Sequence, residues 1–141
     1  MEELMSFKVP GGWAVTYNQF FDLSVGNIPS GHVDLELFGE DLLQIMRMDP
    51  GKGSHIISEE GHFLIDLGWY PEADPKGNYS LKLAYVTPLK TPKWETITAF
   101  RSKDRFEIRD TLETWLAKLL PFRNEKRTDE ILNCLGVKLS R

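Results

Sequence analysis

The sequence predicts an α+β fold: an antiparallel β-sheet of about five to six strands, packed by C-terminal α-helices, in a single domain over residues 1–141. Three observations predict it. Two runs between Phe63 and Tyr85 alternate with the period of two that a half-buried strand requires. Past Lys103 the apolar spacing changes to that of a helix. Every strand-like segment precedes the helical ones, an order that gathers helices on one side of an antiparallel sheet.

The elements follow in order. SFKVP begins with a short alternating run and breaks at Pro10-Gly11-Gly12. Trp13, Val15 and Tyr17 then share one strand face, and Asn18-Gln19 turns the chain toward a second short run, Phe20 to Leu23. In the next segment Val33, Leu35 and Leu37 alternate like a strand, while Leu35, Phe38, Leu42 and Ile45 also suit a helical stripe. It is read as a loop or short helical turn around Pro29 to Glu40, then a strand from Leu42 to Met48 stopped by Asp49-Pro50-Gly51.

The central hairpin is the clearest element. Phe63, Ile65, Leu67 and Trp69 form one apolar row, and Tyr79, Leu81, Leu83 and Tyr85 form its match. Asp74-Pro75-Lys76-Gly77 between them has the residue order of a type I turn. WETITAFRS adds a strand rich in β-branched residues. Ile108, Leu112, Trp115, Leu116 and Leu119 then line one helical face, with Asp104 and Glu107 placed as a capping box and Pro121 beyond the end. A shorter helix is expected from about Glu125 to Leu135, stopped by Gly136.

Composition narrows the function classes. With 41% hydrophobic and 27% charged residues the chain has the balance of a folded globule. No run approaches the roughly 18 apolar residues that cross a bilayer. The start, MEELMSFKV, has acids where a secretory leader has bases, and Cys134, the lone cysteine, excludes an internal disulfide. A cytoplasmic location is expected. Cys134 itself is read as a half-buried helix residue.

The net charge of −4 hides an asymmetry. Through Asp74, thirteen acids face three bases, a balance of −10; from Pro75 on, fourteen bases face eight acids, giving +6. Such a split either cancels within the fold or steers a charged partner.

No residue pattern spells out a reaction. Gly51-Lys52-Gly53-Ser54 lacks the spacing of a phosphate-binding loop and reads as a turn. His62 and Asp66 share a strand face but stand roughly 13 Å apart at the standard rise, and no metal-ligand spacing occurs among His32, His55 and His62. Catalytic residues, cofactor and metal are all expected to be none. Lys90, Lys93, Arg101, Lys103, Arg105 and Arg109, interleaved with Trp94 and Phe100, support a nucleic-acid-binding or regulatory alternative. The long acidic stretch before them opposes it by repelling a polyanion.

A protein-binding surface is the preferred reading. Glu59, Glu60, Asp66, Trp69, Tyr70, Glu72 and Asp74 set acids beside aromatics, a combination that steers and anchors a partner with a basic face. Trp69 continues the apolar row, which favours core packing. Tyr70, one step out of the row, is the better candidate for exposure.

The blocks GGWAVTYNQFFD, FLIDLGWYPEADPKGNYSLKL and SKDRFEIRDTLETWL resemble those of small bacterial immunity proteins that accompany polymorphic or contact-dependent toxins. The resemblance implies a strand-rich body followed by a helix, no cofactor, and an inhibitor that binds one cognate toxin domain inside the cell. It supplies no functional residue. The expected partner, a basic toxin domain, follows from charge.

Overall fold

The computed structural model describes residues 3–50, 55–56, 61–122 and 127–136. Alternating apolar residues build β1 (Trp13–Asn18), β2 (Leu43–Arg47), β5 (His62–Tyr70), β6 (Asn78–Thr87) and β7 (Lys93–Ser102). These form one antiparallel sheet in the order β1-β2-β5-β6-β7. Two short strands, β3 (Asp49–Pro50) and β4 (His55–Ile56), pair with each other. Two helices follow, α1 (Arg105–Lys118) and α2 (Thr128–Cys134). The fold is α+β.

The β5–β6 ladder sets the inner face. Phe63 pairs with Tyr85, Ile65 with Leu83, Leu67 with Leu81 and Trp69 with Tyr79, so the two apolar rows stand side by side. Ile108, Leu112, Trp115 and Leu116 of α1 join them in one core. Asp104 caps α1 by accepting the Phe106 N–H at 2.9 Å, which satisfies one of the helix's free N-terminal donors. The indole N–H of Trp13 donates to the Leu116 carbonyl at 3.0 Å and ties the far edge strand to the same helix.

Aromatic rings close the end of this face at Trp69. Phe38 meets Trp69 edge-on at 5.0 Å, Trp69 meets Tyr79 at 4.8 Å, and Phe20 meets Tyr79 at 5.6 Å. Such edge-to-face pairs stabilise beyond their burial alone. The Trp69 indole N–H donates to the Asp74 carbonyl at 2.8 Å and pins the β5–β6 turn. That turn has the expected geometry, with Gly77 N–H donating to the same carbonyl at 2.9 Å and Lys76 N–H to the Asp74 carboxylate at 2.9 Å.

Three expectations needed adjustment. Tyr17 does not share the face of Trp13 and Val15, because a bulge between Val15 and Tyr17 pairs Tyr17 with Gln44 on the opposite face. Phe20 to Leu23 forms no strand: the side-chain oxygen of Asn18 takes the Phe20 N–H, and Phe20 and Asp22 pair with Met5 and Glu3 instead. The ambiguous segment needed none: it has a 3₁₀ turn, Val33–Leu37, before β2, as the loop-then-strand reading anticipates. Helix α2 runs Thr128–Cys134 and Arg127 is not helical, with Gly136 at φ 76 just past its end; the expected start at Glu125 lies outside the described residues.

Replacing Trp69, the largest fully buried side chain, by alanine should cost about 3–5 kcal/mol of folding free energy. Urea denaturation read by circular dichroism measures it as a lowered midpoint.

Candidate functional site: an acidic cleft on the outer sheet face

The sheet's other face carries the alternate residues of each strand. One transverse row reads Tyr17, Gln44, Asp66, Lys82 and Ala99 from β1 to β7. The neighbouring rows differ in burial: Leu64, Ala84 and Val86 are buried, whereas Gln44, Asp66, Tyr70 and Lys82 are partly exposed. Tyr17 is 42% exposed, so a phenol ring stands open at the rim.

A glycine brings further acids here. Trp69 N–H donates to the Gly39 carbonyl at 2.8 Å, and Leu42 N–H donates to the Leu67 carbonyl at 2.9 Å. These two bonds bracket Gly68, and Glu40 and Asp41 loop outward between them. The Glu40 carbonyl sits so close over Gly68 that an added methyl group would collide with it. Only a residue without a side chain allows that backbone approach. Tyr70 Oη donates to the same carbonyl at a long 3.4 Å.

The result is a cleft of about 430 Å³ lined by Tyr17, Asp41, Leu43, Gln44 and Asp66. Burial pushes the Asp66 pKa up, Asp41 pushes it further, and Lys82 partly opposes them. Tyr70 is likewise raised, by burial and then by Asp66, Glu40 and Asp41. Among the described residues the carboxylates of Glu40, Asp41 and Asp66 have no hydrogen-bond or ion-pair partner. The Lys82 ammonium lies instead over the Tyr70 ring, 5.0 Å from its centroid. Thr16 binds the Gln44 carbonyl and side-chain oxygens, both at 3.1 Å, and so orients one wall. Two carboxylates, a phenol and an amide oxygen are groups that hold a guanidinium or ammonium.

Charge divides laterally across this sheet. The acidic part of the chain supplies β1, β2 and β5, and the basic part supplies β6 and β7. Glu40, Asp41 and Asp66 therefore stand on one side of the outer face, with Lys82 and Arg101 on the other.

The residues singled out in the sequence separate in space. Asp66 lines this cleft, and Tyr70 stands beside Asp66 on the same sheet face without lining it. Glu72 is exposed nearby, with a side-chain oxygen close to Gly39. Asp74 serves its turn. Trp69 is fully buried in the core and offers no surface. Glu59 and Glu60, like the Gly51–Ser54 loop, lie outside the described residues.

Tyr17, Glu40, Asp41, Gln44 and Lys82 were not singled out. Their signals were the solitary glycine inside β5 and the polar interruptions Gln44 and Asp66 in otherwise apolar strands. His62 lies four residues from Asp66 and is buried, with Nδ1 unpartnered among the described residues and its pKa lowered by burial. Among the described residues no group of three His, Cys, Asp or Glu is arranged to hold a metal ion. Among the described residues no helix is long and apolar enough to cross a membrane.

The basic residues of the nucleic-acid alternative fall into two groups. Lys90, Lys93 and the exposed Trp94 lie at the β6–β7 turn, and Arg101, Lys103, Arg105 and Arg109 lie at the other end. Lys93 and Arg101 are about 27 Å apart along an ideal strand. Arg105 pairs with Asp22 at 2.8 Å and Arg109 with Asp110 at 2.9 Å.

No protein-family model, curated protein or solved structure matches the chain.

Two outcomes test the cleft's construction. Because folding raises the Asp66 pKa, its ionised form opposes folding at neutral pH. That penalty fades as pH falls through the folded pKa and is gone below the unfolded value of about 3.9. Asp66→Asn should therefore raise the thermal midpoint at pH 7, with the gain closing toward pH 4. Gly68→Ala should destabilise by about 1–3 kcal/mol through the clash with the Glu40 carbonyl, read by the same melts.

Proposed function

We propose that this protein is a non-enzymatic binding module that neutralises a bacterial toxin by direct contact, as an immunity protein does. The observation that carries the reading is Asp66: a partly buried carboxylate without an ion-pair partner among the described residues, in a cleft shared with Asp41. Such a group costs folding energy that Lys82 offsets only in part. An inserted Arg or Lys of a partner supplies the missing countercharge, and Tyr17 offers exposed aromatic surface at the rim. The surrounding acids favour approach of a basic surface. The partner is accordingly a basic toxin domain, met in the cytoplasm. The resemblance to immunity proteins supports the same reading.

The experiment expresses the neighbouring reading frame, where a toxin gene is expected, with and without this chain. Growth arrest by the neighbour, relieved by this chain through a stoichiometric complex, is the expected result. Asp66→Lys should weaken that complex by at least about 2 kcal/mol, some thirtyfold in Kd, by calorimetry. Asp66→Asn should weaken it while raising the melting temperature of the free protein, the opposed pair of effects that marks a binding residue. A neighbour without toxicity, or a complex indifferent to Asp66→Lys, overturns the proposal.

A further inference from the structure

A second cavity lies elsewhere. About 670 Å³ in volume, it runs between β7 and α1 and ends at Leu135 and Gly136 beyond α2. Thr98, Ala99 and Phe100 of β7 all line it. Consecutive strand residues point to opposite faces, so a cavity that all three reach meets the strand along its edge. β7 is the last strand of the sheet and pairs only with β6 among the described residues.

Exposed edges are ordinarily guarded by charges and bulges. Here Lys93 and Arg101 guard the ends, and a register shift lies between the Leu83 and Ala84 pairings, at Thr98 and Thr96. The stretch Thr98-Ala99-Phe100 carries no charge. The opposite wall is the first turns of α1, where Asp104, Glu107 and Asp110 line the cavity with no Lys or Arg among the lining residues. Asp104 is engaged as the helix cap and Asp110 with Arg109, while Glu107 is exposed and has no ion pair among the described residues.

We infer that this groove takes an extended basic peptide segment of a partner protein, which adds a strand to the β7 edge. Main-chain hydrogen bonds to Thr98–Phe100 hold the segment, and basic side chains at alternate positions face the carboxylates of α1. A second copy of this chain fits less well: its ten-residue β7 would run past Thr98–Phe100 onto Lys93, setting like charges against like, whereas a short segment centred on the uncharged stretch leaves Lys93 uncovered. The inference rests on the β7 edge and not on the Asp66 cleft.

The test titrates the full-length, ¹⁵N-labelled protein with a seven-residue peptide of alternating valine and arginine. Saturable shifts are expected at the amides of residues 98–100 and at Glu107. Strand pairing uses every second peptide amide, so N-methylation of one alternate set should weaken binding at least tenfold and methylation of the other should not. Replacing arginine by glutamate in the peptide should weaken binding at least tenfold, as should Glu107→Lys with Asp110→Lys in the protein. Asp66→Asn should leave it unchanged, which separates this groove from the cleft. Absence of saturable shifts at residues 98–100, equal effects of the two methylation patterns, or equal binding of the glutamate peptide overturns the inference. So does a concentration-dependent dimer by sedimentation whose dissociation on dilution shifts the same amides.

Discussion

The pairing of β5 with β6 is the constraint on which the rest depends. Nine consecutive residue pairs bring two apolar rows onto one face. A slip of one residue would turn Phe63, Ile65, Leu67 and Trp69 away from α1 and bring Leu64, Asp66 and Gly68 into the core. The register is therefore held by the whole core at once, with the Trp69–Asp74 hydrogen bond closing the ladder at its turn. With the register set, every outer-face position is assigned, and Asp66 must point away from the helices.

Within that frame, Gly68 is the point where fold and site meet. Both faces of β5 are in use there: Trp69 and Leu67 reach inward, and the Glu40 carbonyl lies across the glycine outside. The crossing presents Glu40 and Asp41 to Asp66 and Tyr70, residues more than twenty positions away in the chain. The cleft is thus a by-product of an irregular entry into β2, stabilised by the Trp69–Gly39 and Leu42–Leu67 hydrogen bonds. Like charges gathered in a partly dry place oppose folding. Their presence on the outer face is what the proposed binding role would explain.

The same topology also arranges charge. Because β1, β2 and β5 precede β6 and β7 both in the chain and across the sheet, the acidic and basic parts of the sequence become adjacent lateral halves. The fields cancel at long range and remain distinct at contact distance, within about one Debye length of ~8 Å at physiological salt. Under the proposed binding role, a partner would meet acids near Asp66 and bases near Arg101, which would impose orientation as well as attraction.

The α+β class, the hairpin register, the Asp74–Gly77 turn, helix α1 with its Asp104 cap and the inward position of Trp69 were all determined by the sequence itself. Each rests on local periodicity or on a side chain's bond to its own neighbouring backbone, which needs no distant contact. Asp66 and Tyr70 were legible as outward residues for the same reason. The association of Tyr17, Glu40, Asp41 and Gln44 with them was decided by tertiary structure alone. It depends on β2 being the strand that pairs with β5, and on a backbone crossing that a single glycine permits without specifying its partner. Likewise, the failure of Phe20 to Leu23 to join the sheet reflects a competition for hydrogen bonds with Glu3 and Met5, a contest between segments that local pattern does not reveal.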